Sequence, residues 1–193
     1  MKIENLQYSI ILLLILILVL YLIIGYTNKR YYKFYPTLYL YPNNETDVKI
    51  VEKYNNERLN NKEIEYFVRL TDRSCAYAFI HEIDELTLEE LNAIDDPVVP
   101  IIHFFKFLFN RPRPWQINPN LKHYDSVSAF SPSFPSGHSA QAQYLAKKLS
   151  ERYPEKKEKL YEIAEKCGLA RVYGGLHFLS DHNFAKAIVK FIP

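Results

Sequence analysis

Cysteine is scarce and badly placed for cross-linking. Cys75 and Cys167 are the only two and fall in no Cys-x-x-Cys pattern, so neither a zinc knuckle nor a disulfide framework can be built from them. Both are expected as buried free thiols. No block of lysine and arginine interrupts the chain, and a formal net charge of +2 is too mild for a nucleic-acid partner. Strand signals are sparse and no segment repeats at a fixed period. With only five glycines there is little room for a large hinged lid, which points to a small or exposed ligand.

What the chain does have is one long apolar run. Residues 5–28 contain no charge, and Ile10 to Ile24 is apolar throughout. A bilayer core of roughly 30 Å needs about 20 helical residues, so 1–28 reads as a single-pass membrane anchor. No small-x-small cleavage site of a signal peptide follows it. Tyr21 and Tyr26 suit the interface, just before Lys29 and Arg30. Those charges and Lys33 favour a cytoplasmic domain, whereas the sequon Asn44-Glu45-Thr46 points to the opposite side.

Residues 29–57, rich in Tyr, Pro and Asn, show no sustained helical period and read as a juxtamembrane linker. From there to residue 193 the pattern is helical. Ile64, Phe67 and Val68, then Ala76, Phe79, Ile80 and Ile83, recur at three and four. Thr87-Leu-Glu-Glu90 predicts a capping box. A helix from Pro97 or Pro100 should stop at Asn110, because Pro112 and Pro114 cannot continue it. Further helices are expected near 138–152, 155–173 and 177–191. The expected fold is all-α, a single helical domain over 58–193.

Three clusters carry chemistry. In Arg171-Val-Tyr-Gly-Gly-Leu-His177-Phe-Leu-Ser-Asp181, His177 and Asp181 are four apart, so on a helix the carboxylate can hold one ring nitrogen and leave the other free. Gly174 and Gly175 permit a turn that returns Arg171 to the same place. In Lys106-Phe-Leu-Phe-Asn-Arg-Pro-Arg113-Pro114 a helix offers one cation and a rigid extended corner a second, Arg113, with Arg111 as a possible substitute. In Ser133-Phe-Pro135-Ser136-Gly137-His138 a helix begins with free N–H groups at its positive end, a seat for an anion. Each cluster alone also has a plain reading, as a surface ion pair, a basic helix end or a cap. Together they read as one phosphate site. No carboxylate grouping suited to Mg²⁺ and no His/Cys set at zinc spacing accompanies them, Asp95-Asp96 being an isolated pair.

Lys-x6-Arg-Pro at 106–114, Pro-Ser-Gly-His at 135–138 and Arg-x5-His-x3-Asp at 171–181 resemble the three-part signature of the type 2 phosphatidic acid phosphatase superfamily. That superfamily includes bacterial class A acid phosphatases, lipid phosphate phosphatases and vanadium haloperoxidases. The resemblance covers about 97–185 and departs at Ala170, where many members have serine. It implies a compact helical bundle of the acid phosphatase/haloperoxidase type and a phosphatase without metal or cofactor. His177 would be the nucleophile, Asp181 its orienting partner, and His138 the acid and then base. Lys106, Arg113, Ser136, Gly137 and Arg171 would bind phosphate. The partners would be the membrane and a phosphorylated small molecule or lipid phosphate. The alternatives are a vanadate-dependent haloperoxidase and a catalytically silent anion-binding membrane module; His103, one turn before Lys106, is a further candidate for lining the pocket.

Overall fold

The structure, a computed structural model, describes residues 8, 10–20 and 38–193. Among the described residues there is no strand, and the body is built from helices alone. Of the apolar span read over 5–28, residues 8 and 10–20 are described and helical, with their side chains exposed. The rest of that span, and Lys29, Arg30 and Lys33 beyond it, lie outside the described residues. Among the described residues no helix is long and apolar enough to cross a membrane.

Two long helices make the centre, α7 (Gly137–Arg152) and α8 (Lys157–Tyr173), joined by a 3₁₀ turn at Pro154–Lys156. Ala142, Leu145, Ala146 and Leu149 recur at helical spacing on α7. They meet Leu160, Ile163, Ala164 and Cys167 of α8 in one buried cluster, the interior stripe that an i, i+3, i+4 pattern generates. The alanines keep the two axes close. Cys75 and Cys167 are free and buried in that cluster, as expected.

The remaining helices wrap this pair. They are α1 (Asn44–Asn60), α2 (Lys62–Leu70), α3 (Ala76–Phe79), α4 (Leu88–Asp95), α5 (Val98–Phe109), α6 (Pro114–Ile117) and α9 (Leu179–Val189). The predicted capping box is present: Thr87 Oγ1 accepts from Glu90 N–H, and the Glu90 carboxylate accepts from Thr87 N–H at 2.8 Å. Helix α5 ends where the prolines require it. Asn110 turns it off in the left-handed region at φ 44°, a conformation that asparagine tolerates better than most residues.

Two sequence expectations are corrected. Residues 44–57, read as linker, form most of α1. Its buried positions Asp47, Val48, Val51, Asn55 and Arg58 follow helical spacing, but three of the five are polar, so hydrophobic periodicity does not reveal them. Asn43 caps the helix, its side chain accepting from Glu45 and Thr46 N–H. Asn44 opens α1, and its Oδ1 accepts from Arg111 Nε at 2.9 Å. The second correction concerns the last helix, which starts at Leu179, not at His177; the His177–Asp181 pair therefore spans a helix entrance instead of lying on one helical face.

Candidate active site

Helix α5 delivers Lys106 one turn before its end, buried at 3% exposure. Its ammonium donates to Pro132 O at 2.6 Å and to Ser133 O at 3.4 Å. After Asn110 the chain leaves the helix through Arg111-Pro112-Arg113, with Arg113 extended just before α6 begins at Pro114, and the two arginines part company. Arg113 donates through Nε to Ser131 O at 2.9 Å and through Nη1 to Leu176 O at 2.8 Å and His177 Nε2 at 2.9 Å. Arg111 lies elsewhere, on the far side of Asp181. The register chosen from the motif, Arg113 over Arg111, is the one that faces His177.

The turn after α8 does what Gly174 and Gly175 permit. Leu176 N–H and His177 N–H both fold back onto Arg171 O, at 2.9 and 3.2 Å. Gly175 has φ +68°, the left-handed region that favours glycine, and a Cβ there would press on Leu121 Cδ2 at 3.0 Å. The reversal brings Arg171 and His177 to one cavity. Arg171 Nη2 donates to Asp72 Oδ1 at 2.9 Å and to Ser126 and Ser128 hydroxyls at 2.9 and 3.1 Å. Its Nε and Nη1 are buried without a hydrogen-bond partner.

His177 Nδ1 lies 3.1 Å from Asp181 Oδ2. Since Arg113 can only donate to Nε2, the ring carries its proton on Nδ1 and donates it to Asp181, and the Nε2 lone pair accepts from Arg113 Nη1. Asp181 is fully buried and held by four donors. Phe178 N–H reaches Oδ2 at 2.9 Å, Arg111 Nη1 reaches Oδ1 at 2.7 Å, and the Ser133 hydroxyl and His177 complete the set.

At the start of α7, Ser136 serves as N-cap, its Oγ accepting from Ser139 N–H at 3.3 Å and Ser139 Oγ at 2.8 Å. It is buried behind the cavity wall, whereas Gly137 and His138 line the cavity. A Cβ on Gly137 would meet only Lys106 Cε, at 3.9 Å, so the main chain there is open to a ligand. His138 Nε2 donates to Asp72 O at 2.9 Å.

The cavity measures about 200 Å³. Lys106, Arg113, His138, Arg171 and His177 share it with residues that the motifs did not flag: Arg73, Ser128, Ser131 and Gln141. His103 also lines it. Arg73 and Ser128 lie in loops with no periodic signal. Gln141 follows His138 by less than one turn of α7, so the helical register could have revealed it. Four cationic side chains, Arg73, Lys106, Arg113 and Arg171, line the cavity, and no carboxylate does. The electrostatic consequence is uniform. Burial, then Arg113, Lys106 and Arg171, hold His177 well below its ordinary value. Burial and Arg171 do the same to His138. Burial and Arg113 lower Lys106, and burial lowers Arg113 to about 9. Both imidazoles are neutral, and the pocket lacks negative charge that a bound anion would supply.

Among curated proteins none matches the chain. A family model does: the PAP2 superfamily matches residues 98–188, from the first residue of α5 almost to the end of α9, the segment that supplies Lys106, Arg113, His138, Arg171, His177 and Asp181. Members of this superfamily are typically phosphoester hydrolases. Over this segment the chain is similar to the PAP2 superfamily.

Proposed function

We propose that the protein is a membrane-anchored phosphatase that hydrolyses phosphomonoesters, among them lipid phosphates, through a phosphohistidine and without a metal ion. One observation carries this reading: His177, its Nδ1 held by Asp181 and its unprotonated Nε2 accepting from Arg113 at 2.9 Å, lines one cavity with Lys106, Arg113, His138 and Arg171. In the reaction, Arg113 Nη1 passes from Nε2 to a non-bridging phosphate oxygen, Nε2 attacks phosphorus in line, and the P–O bond to the leaving group breaks. His138 supplies the proton to that oxygen. His138 then takes a proton from water, whose oxygen attacks phosphorus, and the N–P bond breaks to release phosphate. The three cations and the N–H groups at the start of α7 meet the charge on the non-bridging oxygens. In the free site His138 is neutral and has no acidic proton to give, its pKa being depressed by burial and Arg171. A bound phosphate dianion opposes those cations and raises it, so the acid is formed by the substrate it serves.

Two observations support the membrane part. The described residues Ile10–Leu20 are helical and every one of these apolar side chains is exposed. Val127 and Phe130, next to the cavity-lining Ser128 and Ser131, are each 61% exposed, which suits a site that takes its substrate from a lipid surface. The test is phosphate release by the full chain in detergent, with EDTA present, from p-nitrophenyl phosphate and a panel of lipid phosphates. Turnover is expected, His177→Ala should abolish it, and Arg171→Met should lower kcat by about 100- to 1,000-fold, the effect of losing one preorganised donor. Unchanged turnover in His177→Ala would refute the assigned nucleophile.

A further inference from the structure

Arg111 takes no part in the cavity, yet it is among the largest side chains with no exposed surface. All of its nitrogens are engaged. Nε donates to Asn44 Oδ1 at 2.9 Å, and Nη2 donates to Pro42 O at 3.2 Å and Asp47 Oδ2 at 2.9 Å. Nη1 donates at 2.7 Å both to Ser180 Oγ and to Asp181 Oδ1. The guanidinium also lies over the Phe178 ring, 3.8 Å from its centroid. Ser180 in turn hydrogen-bonds Asp47. This cation thus holds Phe178, Ser180 and Asp181 on the His177 side, and Pro42, Asn44 and Asp47, which precede and open α1, on the other.

We infer that Arg111 is a positioning residue for the His177–Asp181 pair, and that through it residues 42–47 take part in fixing the tautomer and orientation of the nucleophile. The inference rests on the phosphatase reading for the word nucleophile only. The physical argument is charge sharing. Asp181 Oδ2 accepts from His177 while Oδ1 is bound by Arg111; the more firmly Arg111 binds Asp181, the weaker an acceptor Asp181 is for the imidazole. Asp47 competes for the same guanidinium. A chain of alternating charge, Asp47, Arg111, Asp181, His177, therefore runs from the start of α1 to the cavity. The other groups facing His177 are Lys106 from α5, Arg113 from the extended corner, His138 from α7 and Arg171 from α8. All are cationic or neutral, so Asp181 is the only carboxylate among them.

The test uses the full chain labelled with ¹⁵N-histidine. The chain has six histidines, and His177→Gln assigns the relevant resonance. Arg111→Met leaves Asp181 without its cation, so the His177 Nδ1 proton should move downfield and the ring should titrate at higher pH. Asp47→Asn should move the proton the opposite way, because Arg111 then draws more strongly on Asp181. Arg111→Lys restores the charge but not the fork, so the titration should return toward wild type. Arg111→Met should lower kcat about a hundredfold, as misplacement of a reacting group does, with a much smaller change in KM. Should Arg111→Met fail to fold, Asp47→Asn, which keeps an acceptor for Arg111, decides the matter by the sign of its shift. A His177 resonance and titration unmoved in every folded variant would overturn the proposal and leave Arg111 as core packing. Absence of turnover in the wild-type chain would instead refute the phosphatase reading, with the resonance measurements still deciding the role of Arg111.

Discussion

At the scale of single residues the site is held in a state that favours an anion and disfavours protons. His177 and His138 both have folded-state pKa values below the ordinary 6.5, through burial and the surrounding cations. Below 6.5 the unfolded chain therefore binds more protons at these positions than the folded one. Their contribution to stability is present above 6.5 and is lost as pH falls through the folded values. Asp95 works the other way. Buried at the end of α4 and raised to about 6, it contributes stability below its unfolded value of 3.8 that is lost as pH rises through about 6. Sulfate separates the two effects, because it keeps its double charge across this range and binds only where the cations are. A bound dianion raises both histidines, so binding is coupled to proton uptake. The expected result is a sulfate-induced increase in Tm that grows as pH is lowered from 7.5 to 5.5, read by thermal melts with and without the ion. An increase that is constant, or that shrinks on acidification, contradicts the assignment of neutral imidazoles to the empty site.

At the scale of elements, helix α8 shows what packing demands beyond pattern. A Cβ on Gly168 would lie 2.1 Å from His182 Nδ1 and 2.9 Å from Ser139 Oγ. His182 cannot step aside freely, since Nδ1 lies 3.0 Å from Ser139 Oγ and Nε2 lies 3.1 Å from Glu165 Oε1. Gly168→Ala is expected to lower stability by about 1–3 kcal/mol, the usual cost of overpacking, despite alanine being the better helix former. Equilibrium denaturation checks it, and an equal or higher midpoint would contradict the crowding. Nothing in the sequence around Gly168 signals this. What was legible was of another kind. The helix stop at Asn110, the capping box at Thr87 and the return at Gly174-Gly175 rest on local chemistry that spacing alone conveys. Arg73 and Asp72 reach the site from distant, aperiodic positions, and only tertiary packing brings them there.

At the scale of the whole molecule, the helix that sequence reading assigned to a linker belongs to the machinery of the site. Val48 and Val51 of α1 share a buried cluster with Leu121, Val172 and Phe178, so α1 packs on the residue next to His177. Asn55 donates from α1 to Lys122 O and Tyr173 O, both at 3.1 Å. Arg58 joins it on Lys122 O at 2.6 Å. Removal of α1 would therefore expose two valines and part of Phe178, take the donors from the Lys122 and Tyr173 carbonyls, and leave Arg111 without Asp47. Exposing a buried valine costs about 1.5–3 kcal/mol, and a broken buried ion pair costs about 3–5 kcal/mol. These losses together are comparable to the whole stability of a domain this size, about 5–15 kcal/mol. A fragment of 61–193 retains every motif residue of the site and the full extent of the family match, yet it should be unfolded or aggregated. A fragment of 38–193 should keep cooperative unfolding and the site. Circular dichroism melts of the two fragments decide between a catalytic body that begins after α1 and one that includes it, and a cooperative melt for 61–193 would show that α1 is dispensable.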